Sequence, residues 1–503
     1  MHKQRFLRGG TFEGAGSHGC AFKKPLAAFT MSGEGFRPDP HMLGKVMSHP
    51  VALDELNAMR PFVLADPARA FGVYADLNLL RVNPRLAAES AGGYYELNRC
   101  SFTKPTSFAG RLMKVAAAAP SDAEAVALVD AKAKELQARV DAAQKKVLEH
   151  VPRSEKWEVA QYALDLAQEE LDETILYQLV SPFAENGDMK QVLERIQTSG
   201  SQVRDAIAQL RAFHNLTRGL AVYHAASLVH RDIKPANIVL VGAVYKFIDF
   251  GESLPLPDAI VSDWQAAPYV YFPVLVRAKM GAFDDALFTE QAVLASGHNW
   301  IPSWLKTNVG LRYTYAQAVT NTRGSMEAVV LHTDVYQLAL TLCYLYWSLT
   351  GATFVLDPSN LAAPPTAQRP TPFYSHDAFS ADALAVLDTN LALLVCDATF
   401  AKLSANEFES RFNAIMVLVT PSSFVSAVVA VTEHAKTKTP TPKAKLGSPE
   451  SKRKSPLSKR KSPLSKRKSP LSKRKSPSPQ RTLPKTVSKS KSRGRLASLG
   501  FEK

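Results

Sequence analysis

A polar string within residues 229–251 constrains this chain more than any other part of its sequence. Between apolar neighbours, Asp232, Lys234 and Asn237 follow one another closely, and Asp249 comes twelve residues after Asn237 in the sequence Phe-Ile-Asp-Phe-Gly. A carboxylate can accept a hydroxyl proton, a lysine can neutralise a phosphate, and carboxylate and amide oxygens are ligands that Mg²⁺ prefers. These residue types therefore predict a fold that gathers the four side chains at one site for phosphate chemistry.

The string resembles the catalytic loop and the D-F-G motif of eukaryotic-type protein kinases. The resemblance implies that Asp232 accepts the proton of the substrate hydroxyl and that Lys234 neutralises the transferred phosphate. Asn237 and Asp249 would then bind Mg²⁺ beside ATP. A lysine two positions after the catalytic aspartate is the usual choice of Ser/Thr kinases, so the resemblance implies transfer to hydroxyls of a protein substrate. A buried histidine beside an ordinary aspartate turn is the alternative, and it leaves the matching spacing unexplained.

Near the N-terminus, Gly14, Gly16 and Gly19 give the pattern G-x-G-x-x-G. On its own this pattern is equally typical of a simple glycine-rich turn. In this order, ahead of residues 229–251, it resembles the loop that covers the ATP phosphates in kinases. Glycine there lets backbone N–H groups approach a phosphate without a clash from Cβ. Ala21 departs from the family, which usually has a valine against the adenine at this position.

The lysine that kinases carry on a strand is harder to identify in this sequence, because the pattern V-A-I-K, in which it usually lies, is missing. Lys45, in Leu-Gly-Lys-Val-Met, is the best candidate for ATP binding, since Lys23 and Lys24 lie too close to the glycines. Ten residues after Lys45, Glu55 lies in a segment suited to a helix, and we expect the two to pair, with Asp54 as a rival partner. Alternatively, each of these charges could simply lie on a solvated surface.

The resemblance implies an α+β, bilobal fold, with a small β-rich N-lobe (1–179) and a larger helical C-lobe (180–435). Within the N-lobe, residues 121–172 place apolar residues at every third or fourth position, as helices do, and Pro152 interrupts the pattern; they belong to an insertion at about 101–172. We expect a helical insertion that lies over the lobe. A partner-binding coiled coil is disfavoured because the heptads do not persist. An apolar run at 175–182 predicts the strand that enters the hinge, where adenine would bind.

Residues 335–356 carry no charge over a length that could cross a lipid bilayer. However, Gln337, Ser348, three threonines and a late Gly351 make this run poor membrane material. The sequence Asp-Val-Tyr-Gln that begins at Asp334 resembles the start of the central buried helix of the kinase C-lobe. We therefore expect a core helix followed by a turn, and no membrane association.

Downstream of the D-F-G motif the sequence departs from the kinase pattern. No A-P-E follows; its nearest counterpart, at 271–275, lacks the glutamate, and 60 residues separate Pro273 from Asp334. We expect an enlarged activation and post-activation segment at about 252–330 and an unusual substrate-docking surface, which leaves a small-molecule kinase as a rival. Together with the unusual glycine loop and the insertion, this segment resembles the Ser/Thr protein kinases of large DNA viruses.

The C-terminal tail, residues 436–503, has a different composition. The chain has a formal net charge of +15, but the tail holds 23 of its 61 lysines and arginines and two of its 46 acidic residues, so the tail alone is +21 and the remainder −6. The tail repeats Ser-Pro-Leu-Ser-Lys-Arg-Lys, and a proline in every repeat prevents a continuous helix. Few apolar residues are present to offset the entropy of ordering, so we predict a disordered tail. The charge therefore gives no reason to expect that the whole protein is a basic nucleic-acid binder.

Three interpretations of the tail remain open. The Lys-Arg-Lys clusters resemble nuclear-import signals. Ser-Pro beside basic residues resembles the tails of linker and sperm histones, which follow DNA phosphates without reading sequence. The third interpretation is a solvated polycation without a specific partner. A different overall function is also open, namely a catalytically weak kinase-fold scaffold or a DNA-packaging protein that acts through the tail.

The cysteines and the first residues of the chain indicate in which compartment the protein is expected. The four cysteines form no C-x-x-C pair and are too few for a disulfide scaffold, which favours a reducing compartment. The first residues lack the apolar core of a signal peptide. We therefore expect an intracellular protein of the nucleus or cytoplasm, in the host cell or virion if the viral resemblance holds.

Overall fold

The computed structural model describes residues 11–15, 19–36, 39–85, 99–100, 103, 106–198, 206–262, 269–279, 300–357, 359–369 and 381–419. Gly16 and the whole tail, 436–503, lie outside these residues. The predictions made for them, including a disordered tail, therefore stay predictions.

Seven strands build one antiparallel sheet in the N-terminal part of the chain. They are β1 (Thr11–Ala15), β2 (Cys20–Lys23), β3 (Ala28–Phe29), β4 (Gly35–Phe36), β5 (Met42–Ser48), β6 (Leu80–Val82) and β7 (Leu176–Pro182). Their order in the sheet is β1-β2-β5-β7-β6-β3-β4. The register sets Lys45 of β5 opposite Leu179 of β7. Because side chains alternate along a strand, Lys45 and Met47 face one side of the sheet and Val46 faces the other.

Helix α1 (His49–Ala65) follows β5 without a break. Proline is tolerated in the first helical turn, where its missing N–H has no partner to lose, so Pro50 permits this abrupt start. The helix buries four side chains at helical spacing, Ala52, Leu56, Met59 and Phe62. The direct junction of strand and helix holds Glu55 at a fixed distance from Lys45.

Three helices lie between β6 and β7 in the chain, in the region of the expected insertion. They are α2 (Phe108–Ala116), α3 (Asp122–Leu148) and α4 (Glu155–Asp172). Each begins after a serine whose hydroxyl accepts a hydrogen bond from a backbone N–H of the first turn. Helices α3 and α4 pack along each other, and a 2.7 Å ion pair between Arg81 and Asp130 fastens α3 to β6. The insertion is therefore attached to the sheet.

The insertion covers the face of the sheet toward which Val46 points. Phe22 and Val46 are fully buried there, in one apolar cluster with Ala109 and Met113 of α2. A large apolar contact of this kind holds the insertion against the strands that carry the glycine pattern and Lys45.

A disulfide joins Cys20 of β2 to Cys100, whose Cα atoms lie 5.7 Å apart. The cysteine count predicted no disulfide scaffold, and this single bridge lies within the apolar cluster between sheet and insertion. Cys343 and Cys396 are buried free thiols. The bridge does not test the expected intracellular location, which stays a prediction.

The C-terminal part of the chain is mainly helical. Its elements are α5 (Met189–Thr198), α6 (Ala206–Ala225), β8 (Leu228–Val229), β9 (Ile238–Val241), β10 (Val244–Phe247), β11 (Leu254–Pro255), α7 (Leu256–Val261), α8 (Val274–Lys279), α9 (Asn308–Thr322), α10 (Met326–Thr350), β12 (Thr353–Val355), β13 (Thr366–Gln368), α11 (Ala381–Thr399) and α12 (Ala405–Leu418). Three antiparallel strand pairs, β8 with β11, β9 with β10 and β12 with β13, connect the helices. This mixed helix and strand content agrees with the expected α+β fold class.

Helix α10 is the core of this part of the chain. It buries most of its side chains, including the polar Thr333, Asp334 and Gln337, and it ends at Gly351, whose φ of 70° is the left-handed conformation that glycine adopts readily. Among the described residues, α10 alone is long and apolar enough to cross a membrane, and 83% of its apolar 18-residue stretch is buried within the protein. The uncharged run is thus a core helix followed by a turn, as the sequence predicts.

The segment between residues 252 and 330 is held to α10 through an arginine. Arg277 of α8 is buried, and its Nε donates to the backbone oxygen of Phe272 at 2.7 Å. A second guanidinium nitrogen donates to the hydroxyl of Tyr336 at 3.3 Å. The segment that lacks the A-P-E glutamate is therefore anchored by a different residue type. Residues 263–268 and 280–299 of this segment lie outside the described residues.

Candidate active site

Lys45 lies at the centre of a three-residue ion-pair cluster. Its Nζ is 2.7 Å from Oε2 of Glu55 on α1 and 2.9 Å from Oδ1 of Asp249. Asp54, the rival for the pairing, is exposed. The structure thus brings Lys45, Glu55 and Asp249 together from β5, α1 and the D-F-G segment.

The charges of this cluster shift the pKa values of Lys45 and Asp249. Burial would lower the pKa of Lys45, but the carboxylates of Glu55 and Asp249 raise it above its ordinary value. Burial would raise the pKa of Asp249, but the charge and hydrogen bond of Lys45, followed by His230 and Lys234, lower it. Lys45 is therefore a stable cation and Asp249 a stable anion at neutral pH.

A second cluster surrounds Asp232 in the loop before β9. Nζ of Lys234 donates to both carboxylate oxygens of Asp232, at 3.0 and 2.8 Å. Nδ2 of Asn237 donates to Oδ2 of Asp232 at 2.7 Å and to its backbone oxygen at 2.9 Å. Burial raises the pKa of Asp232 above its ordinary value, while Lys234 acts in the opposite direction. The three predicted catalytic-loop residues therefore form one hydrogen-bonded unit.

Two buried polar residues of α10 hold the backbone of this loop. The Asp334 carboxylate accepts from the backbone N–H groups of His230 and Arg231, both at 2.7 Å. Gln337 accepts from the N–H of Ile233 at 2.8 Å and donates to the oxygen of Arg231 at 2.9 Å. Arg231 has a φ of 69°, which costs energy for a residue with a side chain, so the loop needs this external support.

The side chain of Asp334 is itself fixed by a histidine. Nε2 of His224 on α6 lies 3.1 Å from Oδ2 of Asp334. Burial would raise the pKa of Asp334, but the hydrogen bond and charge of His224, together with His230, lower it. Asp334 is therefore an ionised acceptor, which strengthens both of its backbone hydrogen bonds.

Asn237 and Asp249 are brought together by the β9–β10 hairpin. The backbone N–H of Ile248 donates to the oxygen of Asn237 at 3.0 Å, so the residue before Asp249 is bonded directly to Asn237. Both Nδ2 hydrogens of Asn237 are engaged with Asp232, which leaves its amide oxygen as the possible ligand. A carboxylate and an amide oxygen fit Mg²⁺, which usually keeps waters and phosphate oxygens as its other ligands.

Asn237 and Asp249 provide only part of the ligands that a metal ion needs. Within the described ranges, no group of three or more His, Cys, Asp or Glu side chains could hold a metal ion by protein ligands alone. A closed structural metal site is therefore not what the described residues offer; a cation bound between Asn237, Asp249 and a nucleotide is compatible with them.

The glycine pattern is described in part. Gly14 lies in β1, and Gly19 directly precedes β2. A Cβ on Gly19 would lie 2.9 Å from the backbone oxygen of Val46, so only glycine permits this close approach of β2 to β5. Gly16 is outside the described residues, and the role of the three glycines in ATP binding stays a prediction.

Several supporting residues could not be assigned from the motif alone. The sequence does not assign Gln337 to the loop, although a buried amide requires partners and so signals a structural or functional contact. Asp66 and Tyr74, described below, belong to no motif. Their polarity inside an apolar region is the one signal that could have found them.

Comparisons with known proteins agree with this geometry. Residues 132–267 match the protein kinase domain family. That match includes Asp232, Lys234, Asn237 and Asp249 but not Lys45. Residues 132–267 are therefore similar to part of a protein kinase domain.

The curated relatives are protein kinases by name, and two of the three named here are called probable serine/threonine kinases. The chain is 41% identical over 73 residues to the probable serine/threonine-protein kinase PkwA of Thermomonospora curvata, which covers 14% of this chain and 9% of the relative. It is 41% identical over 64 residues to the probable serine/threonine-protein kinase nek1 of Dictyostelium discoideum, or 13% of each chain. It is 24% identical over 126 residues to mitogen-activated protein kinase kinase kinase 8 of Rattus norvegicus, or 25% of this chain and 27% of the relative.

The chain thus spans less than a third of the length of each of these relatives. The matched part is similar to protein kinase domains, and such domains in general use ATP and a divalent metal.

Proposed function

We propose that this protein is an ATP- and Mg²⁺-dependent kinase that transfers the γ-phosphoryl group of ATP to serine or threonine hydroxyls of proteins. One observation carries the proposal: Lys45 contacts both Glu55 and Asp249, while Asp249 follows a strand bonded to the loop of Asp232. These contacts support the proposal because they join residues from distant parts of the sequence that phosphoryl transfer would need.

Each side chain has a distinct role in the proposed mechanism. Lys45, held by Glu55, neutralises charge on the non-transferred phosphates of ATP. Asp249 and Asn237 would hold Mg²⁺, which supplies charge neutralisation at the phosphate oxygens when it is bound. Positive charge placed in advance lowers the barrier because the site does not need to reorganise during the reaction.

Asp232 is the proposed acceptor of the hydroxyl proton. Its carboxylate is already oriented by Lys234 and Asn237, and burial keeps its pKa above the ordinary value of an aspartate. As the hydroxyl oxygen bonds to the γ-phosphorus, its proton passes to the Asp232 carboxylate. Lys234 then neutralises charge on the transferred phosphoryl group, and ADP leaves.

The test is transfer of label from γ-labelled ATP to casein or histone. We expect labelled serine and threonine after acid hydrolysis, in the presence of Mg²⁺, and loss of transfer when EDTA removes divalent metal. Labelled small molecules without labelled protein would favour the small-molecule kinase. No transfer by the wild-type protein to any substrate would favour the catalytically weak scaffold.

The tail carries a separate proposal. We infer from its composition that residues 436–503 associate with nucleic acid independently of sequence, or direct nuclear import, and so decide whether the kinase acts in the nucleus or cytoplasm. The charge of +21 and the absence of aromatic residues from 436 to 500 support backbone contacts without base stacking. The viral resemblance, likewise, rests on the sequence features that distinguish this chain from most kinases.

Salt dependence tests the tail proposal. The full chain should bind duplex DNA with an affinity that falls about 1000-fold between 50 and 200 mM salt, as expected when six or more phosphates are neutralised. Replacing the 23 Lys and Arg residues of the tail with Gln should abolish this binding. Replacing Ser455, Ser462 and Ser469 with Ala should preserve it. Equal DNA binding by the glutamine variant would exclude the tail as the binder.

A further inference from the structure

The loop that follows α1 is bonded directly to the strand that precedes Asp249. The backbone N–H of Val73 donates to the oxygen of Phe247, and the N–H of Phe247 donates to the oxygen of Phe71, both at 2.9 Å. Nδ2 of Asn215 on α6 adds hydrogen bonds to the backbone oxygens of Ala70 and Tyr245, each at 2.9 Å. The segment that ends the Glu55 helix and the segment that leads to Asp249 are therefore one hydrogen-bonded layer.

Asp66 gives this loop its shape. It lies at the end of α1, is 3% exposed, and accepts hydrogen bonds from the backbone N–H groups of Ala70, Phe71 and Gly72 at 2.8, 2.8 and 3.2 Å. A buried carboxylate would be costly without such partners. A Cβ on Gly72 would lie within 2.4 Å of the Tyr74 ring, so the loop closes tightly around that ring.

Two buried tyrosines continue the network from Asp66 into the larger lobe. The Tyr74 hydroxyl donates to Oδ2 of Asp66 at 3.0 Å and lies 2.6 Å from the hydroxyl of Tyr223 on α6. A hydroxyl has one proton, so Tyr223 is the donor to Tyr74. Burial raises the pKa of both tyrosines well above the ordinary value, and both hydroxyls therefore stay protonated.

The rings of the same tyrosines surround Phe250, the residue after Asp249. The centroid of Phe250 lies 5.0 Å from that of Tyr74 and 6.3 Å from that of Tyr223. Phe62 of α1 and His230 of the catalytic loop, at 4.9 and 5.0 Å, complete the enclosure. Phe250 is 2% exposed. Hydrogen bonds of their hydroxyl groups hold the rings of Tyr74 and Tyr223 in place, and the Phe250 side chain packs closely between the surrounding rings.

We propose that Asp66, Tyr74 and Tyr223 are positioning residues of the active site. They hold the end of α1 and the Phe250 ring in place, so that Glu55 and Asp249 both contact Lys45. This inference rests on the proposed kinase function. None of the three side chains is predicted to contact substrate or nucleotide; they act through the Lys45 cluster.

The alternative is that this network only stabilises the fold, and a matched control separates the two. Tyr346 is also a fully buried tyrosine, and its hydroxyl donates to Oδ1 of Asp388 at 2.6 Å, in the core of the larger lobe. Tyr346→Phe removes the same chemical group from a Tyr–Asp pair outside the active site, in which Asp388 is partly buried and also pairs with Arg369. Tyr74→Phe and Tyr223→Phe should lower the melting temperature about as much as Tyr346→Phe does.

The kinetic constants should differ. We expect Tyr74→Phe and Tyr223→Phe to lower kcat about tenfold with little change in KM for the protein substrate, since small misplacements of reacting groups have large effects on rate. Tyr346→Phe should keep kcat within about twofold of wild type. In a Glu55→Gln background, Tyr74→Phe should cause little further loss, because both act through the same contact.

Three outcomes decide the matter. Equal effects on kcat of Tyr74→Phe and Tyr346→Phe, or full additivity with Glu55→Gln, would overturn the positioning role. An inactive wild-type protein would instead refute the proposed function. In that event, hydrogen exchange of the α1 amides decides the inference alone: faster exchange in Tyr74→Phe than in Tyr346→Phe supports it, and equal exchange overturns it.

Discussion

Asp232→Asn is expected to lower kcat for phosphoryl transfer to protein by about 10²- to 10⁴-fold, the usual contribution of a general base. The amide has the shape of the carboxylate but cannot accept a proton at neutral pH. Nucleotide affinity should stay within about threefold of wild type, because Lys45 and Asp249 are untouched. Steady-state kinetics with γ-labelled ATP, together with binding of a fluorescent ATP analogue, would measure both quantities.

The loop should survive this substitution. Its backbone is held by Asp334 and Gln337 of α10, and neither of those contacts uses the side chain of Asp232. Asp397→Asn is the control, because Asp397 is likewise an ion-paired aspartate, bound to Lys402 and Arg411, but it lies on α11 away from the cluster. If Asp232→Asn kept wild-type kcat, or if Asp397→Asn lost as much activity, Asp232 would not be the base.

The motif made the catalytic loop predictable, and its geometry explains why. Asp232, Lys234 and Asn237 contact one another within a stretch of six residues, so their arrangement is mostly local. Asp249 follows after one hairpin, whose length sets its distance from Asn237. Local constraints of this kind are visible in sequence spacing, whereas contacts over more than a hundred residues are not.

Pairs between distant segments were predictable only where charge or a motif marked them. Lys45 and Glu55 lie on adjacent elements, and their opposite charges suggested the pairing. By contrast, Tyr74 and Tyr223 are separated by 149 residues, and nothing in their neighbours indicates that the two hydroxyls meet. The Cys20–Cys100 bridge depends similarly on how the insertion packs against the sheet, which no local pattern encodes.

The insertion shows a further limit of sequence patterns. Apolar spacing predicts helices in 121–172, and α3 and α4 lie there. Spacing does not reveal which surface such helices cover. The covered surface depends on which face of the sheet carries Phe22 and Val46. This face can be identified only after the strand register is known.

Lys45→Ala is expected to reduce kcat/KM for ATP by about 10²- to 10³-fold, the range seen when one preorganised electrostatic group is removed. The reason is twofold. The cation that faces the phosphates is lost, and Glu55 and Asp249 are left without the charge that now lies 2.7 and 2.9 Å from them. Glu55→Gln, which keeps a hydrogen-bond acceptor, should have a smaller effect, about tenfold.

The pH dependence gives Lys45→Ala a signature that simple loss of stability would not produce. Asp249 must be ionised to hold a cation, and Lys45 lowers its pKa. Without Lys45 the pKa of Asp249 rises, so the acid limb of the pH–rate profile should move to higher pH and more Mg²⁺ should be needed at pH 6 than at pH 8. Lys114→Ala, on the exposed surface of α2, serves as the control. An unchanged acid limb in Lys45→Ala would mean that another cation governs Asp249, and Lys45 would lose its proposed role.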